Sequence, residues 1–182
     1  NLAASALTEL KSRYENTRLG RQELYGEILD EVEGALWTRE LIEASRVTEH
    51  PPLIRVVIGV DPAVTSGETS DLTGIVAAGL SAKGDYYILD DKSLRATPDA
   101  WARQAVMLYQ EHKADRIVAE TNNGGDMVIL LMQQVDRTVS TKKVTATRGK
   151  LLRAEPISSL YEQGKVHHVG YYPELETQMC EI

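Results

Sequence analysis

The chain has no phenylalanine and only two tryptophans, so Leu, Ile, Val, Tyr and Trp must fill its core. It has a single cysteine, Cys180, which cannot close an internal disulfide. A cysteine-rich zinc site is thereby excluded, and a reducing compartment is the natural expectation. No apolar run approaches the roughly 20 residues of a membrane-spanning helix. The pattern Gly-x-x-x-x-Gly-Lys-[Ser/Thr] is absent, so there is no P-loop. Basic residues are in the minority, with 20 Lys and Arg against 27 Asp and Glu, a net charge of -7. That balance argues against a general nucleic-acid coat, which favours a basic surface. It leaves room for an acidic metal pocket with a local basic rim. Histidine chemistry is poorly supported. His167 and His168 are adjacent on a predicted strand and point to opposite faces, His50 and His112 are isolated, and no Ser-His-Asp spacing is present.

What is there suffices for one domain of ordinary size and about fifty residues more: 182 residues, 42% of them hydrophobic. Residues 1–52 read as a linking segment. Helical spacing occurs at Leu7, Leu10 and Tyr14, again at Leu24, Ile28, Leu29 and Val32, and Thr38 to Glu43 reads as a short helix. His50-Pro51-Pro52 is a stop. Residues 53–182 read as the main domain. Strands are predicted at Arg55–Val60, Thr73–Leu80 and Tyr86–Leu89, joined by short turns as an antiparallel meander. Thr97-Pro98 opens a helix with Trp101, Ala105, Leu108 and Tyr109 on its apolar face. Ile117–Ala119 is a fourth strand, expected parallel to the first because a helix precedes it. A helix over Asp126–Val135, a strand over Lys143–Ala146, a helix over Leu151–Gln163 with Ala154, Ile157, Leu160 and Tyr161 inward, and a strand over Lys165–Val169 complete a mixed α/β order.

Three acids stand where such an order brings them together. Asp61 ends a dense apolar run, and Pro62 forbids a simple continuation of the ladder. Asp71 opens the second strand. Glu120 closes the fourth, although Glu is poor in strands and seldom ends a buried one. Any one of them could be a turn former or a surface charge. Together they would offer a divalent cation, Mg²⁺ or Mn²⁺, its oxygen ligands. Two such ions roughly 3.5–4 Å apart can activate a water and stabilise the leaving oxygen of a phosphodiester. Asp90-Asp91 and Asp126 read as structural. Lys142, Lys143, Arg148, Lys150 and Arg153 lie within twelve positions, either as a solvated loop and helix start or as a phosphate-contacting strip.

Three stretches carry a resemblance: Val57-Ile58-Gly59-Val60-Asp61-Pro62-Ala63, Ser70-Asp71-Leu72-Thr73-Gly74-Ile75, and Val118-Ala119-Glu120-Thr121-Asn122-Asn123-Gly124-Gly125. They resemble the C-terminal nuclease domain of tailed-phage large terminase subunits, as does Tyr161 to Gly170. Gly34-Ala35-Leu36-Trp37 and Thr17 to Glu27 resemble the segment joining the terminase ATPase to its nuclease. The resemblance implies an RNase H-like fold and a Mg²⁺- or Mn²⁺-dependent endonuclease that cuts concatemeric double-stranded viral DNA by a two-metal mechanism. It implies catalytic roles for Asp61 and Glu120, metal ligation by Asp61, Asp71 and Glu120, and DNA contacts from Lys143, Arg148, Lys150 and Arg153. Portal protein and small terminase subunit would be partners, in the cytoplasm of a bacterial host, with no membrane. The family carries a further catalytic Asp on a helix after the Lys165–Val169 strand. Glu174, Glu176 and Glu181 do not stand in that pattern, so a fragment lacking the final acid, weakly binding metal and cutting poorly, is expected. An actin-like or sugar-kinase ATPase shares the sheet but needs a second copy of it, for which 182 residues leave no room. A non-catalytic DNA-binding or scaffold module of the same fold is the other alternative, against which two acids at Asp61 and Glu120 weigh.

Overall fold

The computed structural model describes residues 34–63, 71–122 and 125–182. The helical spacing read at Leu7–Tyr14 and at Leu24–Val32 lies outside the described residues. These form seven strands and five helices. By contacts the chain makes two compact units, one of Glu49–Gly149, the other holding the segment before Glu49 together with Lys150–Ile182.

The Glu49–Gly149 unit is a sheet with helices on one face. β2 (Leu53–Asp61) pairs antiparallel with β3 (Gly74–Ser81), and β3 with β4 (Tyr86–Asp91). The β3–β4 turn closes on Gly84, whose φ of +89° suits glycine and few other residues. α2 (Pro98–Glu111) then crosses the sheet. Thr97 caps it by accepting the Ala100 N–H, and Pro98 sits in the first turn, where its missing N–H costs nothing. Trp101, Ala102, Ala105, Val106 and Leu108 are buried at helical spacing. The chain returns through Asp115, whose carboxylate accepts the Val56 N–H at 2.7 Å and whose own N–H reaches the Val56 carbonyl at 2.7 Å. This clasp seats β5 (Arg116–Glu120) parallel to β2, with Val57 opposite Arg116 and Val60 opposite Ala119. α3 (Gly125–Val135) leads to β6 (Thr141–Val144), parallel to β5. The order across this unit is β4-β3-β2-β5-β6.

The core lies between this sheet and α2. Ile58, Ile75, Ala77, Ile117 and Ala119 from three adjacent strands meet Ala102, Ala105 and Leu108, all at 0% exposure. Fully burying each large aliphatic side chain contributes about 1.5–3 kcal/mol. Trp101 and Met132 are buried in the same core. β6 begins and ends two residues before its predicted span, because Thr141 pairs with Ile117 and the Thr121 N–H binds the Val144 carbonyl.

The other unit comprises α1 (Arg39–Ser45), β1 (Arg46–Val47), α4 (Lys150–Glu162), β7 (Val166–Val169) and α5 (Pro173–Met179). Thr38 Oγ1 accepts the Leu41 N–H at 3.1 Å and starts α1. β1 lies parallel to β7, with Arg46 opposite His168. The α4 contact face differs from the predicted one. Ser158 and Tyr161 are buried, whereas Ile157 is 47% exposed. Pro156 lies inside the helix and cannot supply its N–H to the ladder. The inward face is set by Tyr161, edge-on to Trp37, and by the Ser158 hydroxyl, which donates to the Leu36 carbonyl.

Candidate metal centre

The cleft follows from strand register. Val60 and Ala119 are paired neighbours, both buried in the core. Successive side chains alternate faces, so the next residues, Asp61 and Glu120, emerge side by side at the ends of two parallel strands and away from α2. Asp61 is also opposite Gly74 of β3, and Glu120 opposite Val144 of β6. Asp61 and Glu120 are among the residues lining a cleft of about 280 Å³, with Pro62 and Ala63 following one strand, Thr121 and Asn122 following the other, and Val128 entering from α3.

The walls are held by specific bonds. The Ala63 N–H donates to Thr73 Oγ1 at 3.1 Å. Thr73 is fully buried and bridges Leu94 through both backbone groups. On the other side, a Cβ on Gly125 would stand 2.7 Å from Thr121 Oγ1 and 3.1 Å from Lys143 Cδ. Only glycine lets α3 start this close to the end of β5. Lys143 Nζ then donates to Asp126 Oδ1 at 2.6 Å, and that hydrogen bond and the lysine's charge lower the Asp126 pKa.

Asp71 is exposed and stands three residues before Gly74, the partner of Asp61 in the ladder. It is not among the described residues lining the cleft. Lys143 and Arg148 are exposed in the sheet unit, on and after β6. Lys150 and Arg153, also exposed, lie three apart on α4 and so share one helix face. Asn122 and Val128 are lining residues that composition and periodicity did not single out. The signal for Asn122 was its position two residues after Glu120.

A separate group of potential ligands gathers at the C-terminus of α2. Asp90, Glu111 and His112 offer donor atoms within 4.8 Å of one another. His112 Nε2 is 3.6 Å from Asp90 Oδ2, which Lys92 Nζ also approaches at 4.0 Å. None of the three lines the cleft. A histidine at a helix C-terminus beside a carboxylate is an ordinary arrangement.

Two acids at the ends of adjacent parallel strands, in a mixed sheet whose strands β2, β3 and β4 form an antiparallel meander, define an RNase H-like domain. The profile of the terminase RNaseH-like domain family matches residues 58–181, and the chain belongs to that family. No curated protein matches it in sequence. Among solved structures it is similar to the large terminase nuclease of thermophilic phage G20c, at 13% identity and a TM-score of 0.51, over 74% of each chain. It is also similar to the nuclease domain of the large terminase subunit gp2 of bacterial virus Sf6, at 16% identity and a TM-score of 0.49, over 69% of this chain and 54% of that one. The HK97 bacteriophage large terminase matches at 15% identity and a TM-score of 0.49, over 75% of this chain and 34% of that one. The chain thus spans about half of the Sf6 domain and a third of the HK97 protein.

Proposed function

We propose that this domain is the metal-dependent endonuclease of a phage packaging terminase and hydrolyses phosphodiesters of concatemeric double-stranded DNA. What supports the reading is that Asp61 and Glu120 directly follow the paired residues Val60 and Ala119 and are among the residues lining one cleft. The donor set suits a hard divalent cation: carboxylate oxygens, and no thiolate or imidazole among the described lining residues. Asp61 and Glu120 would hold Mg²⁺ or Mn²⁺, two ions in the full site, with Asp71 assisting from the loop before β3. Bound there, the metal supplies Lewis-acid polarisation of the phosphate and a water of lowered pKa. The protein's own part is to fix the two carboxylates on rigid strands. It also keeps the apolar Val128 at the cleft wall; Lys143, Arg148, Lys150 and Arg153 would contact DNA phosphates. Against a net charge of -7, DNA affinity depends on those local cations.

Residues 1–52 fit the segment joining an ATPase domain to this nuclease, and 53–182 its body. Portal protein and small terminase subunit would be the assembly partners, in the cytoplasm of a bacterial host. Among the described residues, no helix is long and apolar enough to cross a membrane.

The test is cleavage of plasmid DNA by the full-length protein in Mn²⁺, the ion present in one structure of the Sf6 domain. Asp61→Ala should abolish cleavage while leaving the circular dichroism spectrum and melting cooperativity intact. Undiminished cleavage by that variant removes the assignment.

A further inference from the structure

A phosphodiester brings a negative charge, spread over its non-bridging oxygens, into a cleft that already holds two carboxylates. Such oxygens are bound by N–H and O–H donors as well as by cations. The described walls hold few donors. Ionised Asp61 and Glu120 only accept, and Pro62 has no N–H. The Ala63 N–H is committed to Thr73 Oγ1 at 3.1 Å, and the Thr121 N–H to the Val144 carbonyl at 2.8 Å. The Thr121 side chain is packed against the start of α3, so closely that a Cβ on Gly125 would meet its Oγ1 at 2.7 Å. The residue is 9% exposed, and Val128 offers only hydrocarbon.

Asn122 differs from all of these. It is exposed and lines the cleft. It stands two residues after Glu120, in the bend that follows β5. Its amide carries two N–H donors and no charge, so it can approach a phosphate oxygen without pairing off either carboxylate, as a lysine there would. We infer that Asn122 is a substrate-binding residue of the nuclease site, its Nδ2 donating to a non-bridging oxygen of the scissile phosphate. The inference rests on the nuclease reading above.

Single-turnover cleavage of plasmid DNA by the full-length protein in Mn²⁺ tests it, with Asn122→Ala, Asn122→Asp and Asp61→Asn run in parallel. A hydrogen bond to a charged group predicts that Asn122→Ala slows cleavage about ten- to hundredfold. Asn122→Asp has the same size but an acceptor where the donor stood, and should slow it at least as much. Both should keep the parent's melting temperature, and Asn122→Ala its Mn²⁺ affinity by titration. Parental cleavage by Asn122→Ala, or faster cleavage by Asn122→Asp than by Asn122→Ala, overturns the inference. So does a fall in melting temperature that accounts for the lost rate, which would mark Asn122 as a turn former. Asp61→Asn keeps the two readings distinct. If it cleaves at the parent rate, the nuclease assignment falls; if it is inert while Asn122→Ala cuts normally, only the role of Asn122 falls.

Discussion

Glu176 is fully buried, yet it holds its charge because four donors converge on it. Arg46 donates twice, each bond 2.8 Å, the Tyr172 N–H once at 3.0 Å, and His168 Nδ1 once at 3.2 Å. On the other side of the ring, His168 Nε2 and the Tyr161 hydroxyl are hydrogen-bonded at 2.7 Å. That hydroxyl's own pKa is raised, by burial first and by the Glu176 charge second. Burial alone would raise the Glu176 pKa. The Arg46 and His168 hydrogen bonds, the arginine's charge and the Tyr172 N–H outweigh it and bring the group from 4.5 to about 2. A pKa lowered on folding gives stability that is complete above pH 4.5 and is lost as pH falls toward 2, about 3 kcal/mol in all. Glu176→Gln should therefore cost about 3–5 kcal/mol at pH 7, because it leaves the Arg46 guanidinium buried without its main counter-charge. Glu43, which also binds Arg46, and the Tyr171 ring beneath the guanidinium reduce the loss. The variant should then lose less than the parent between pH 4.5 and 2. Urea unfolding followed by tryptophan fluorescence reads both effects, since Trp37 stands 5.7 Å from Tyr161. An acid profile in Glu176→Gln that parallels the parent's would refute the account.

β2 shows how one element serves both fold and site. Its first residues are open to solvent, its middle is core, and its last residue enters the cleft. Ile58, at 0% exposure, lies between Ala77 and Ile117 in the two flanking strands. Ile54, in the same strand, is 65% exposed. Ile58→Ala should cost about 2–5 kcal/mol and Ile54→Ala no more than about 0.5. Equal losses in chemical denaturation would contradict the placement of the core. Elements of this kind were legible beforehand. The meander, the capped helix from Pro98 and a fourth strand parallel to the first all follow from short apolar runs joined by turns, Thr97-Pro98 and the position of the helix. The adjacency of Asp61 and Glu120 follows from that parallel pairing alone. The Arg46–Glu176 pair was not legible, because its members are 130 positions apart and periodicity carries only local information. The inward face of α4 was misread at Ile157 because Pro156 interrupts the helical ladder on which the pattern relies.

At the scale of the whole molecule, charge sets the behaviour that a metal must change. The chain carries seven more acids than bases, and two of those acids share one cleft. A divalent cation that binds only the folded state stabilises it by mass action, about 2.7 kcal/mol at a hundredfold excess over Kd. For a chain of this length each kcal/mol moves the melting temperature by about 2–4 °C. Saturating Mn²⁺ should thus raise it by about 5–10 °C, and the paired substitution Asp61→Asn with Glu120→Gln should remove that rise. Thermal melting with and without Mn²⁺ separates these outcomes. If the rise persists in the paired variant, the stabilising ion sits elsewhere, and Asp90, Glu111 and His112, gathered at the end of α2, become the group to substitute next. If neither protein responds, Asp61 and Glu120 do not hold the ion, and the reading of their cleft as a metal site falls.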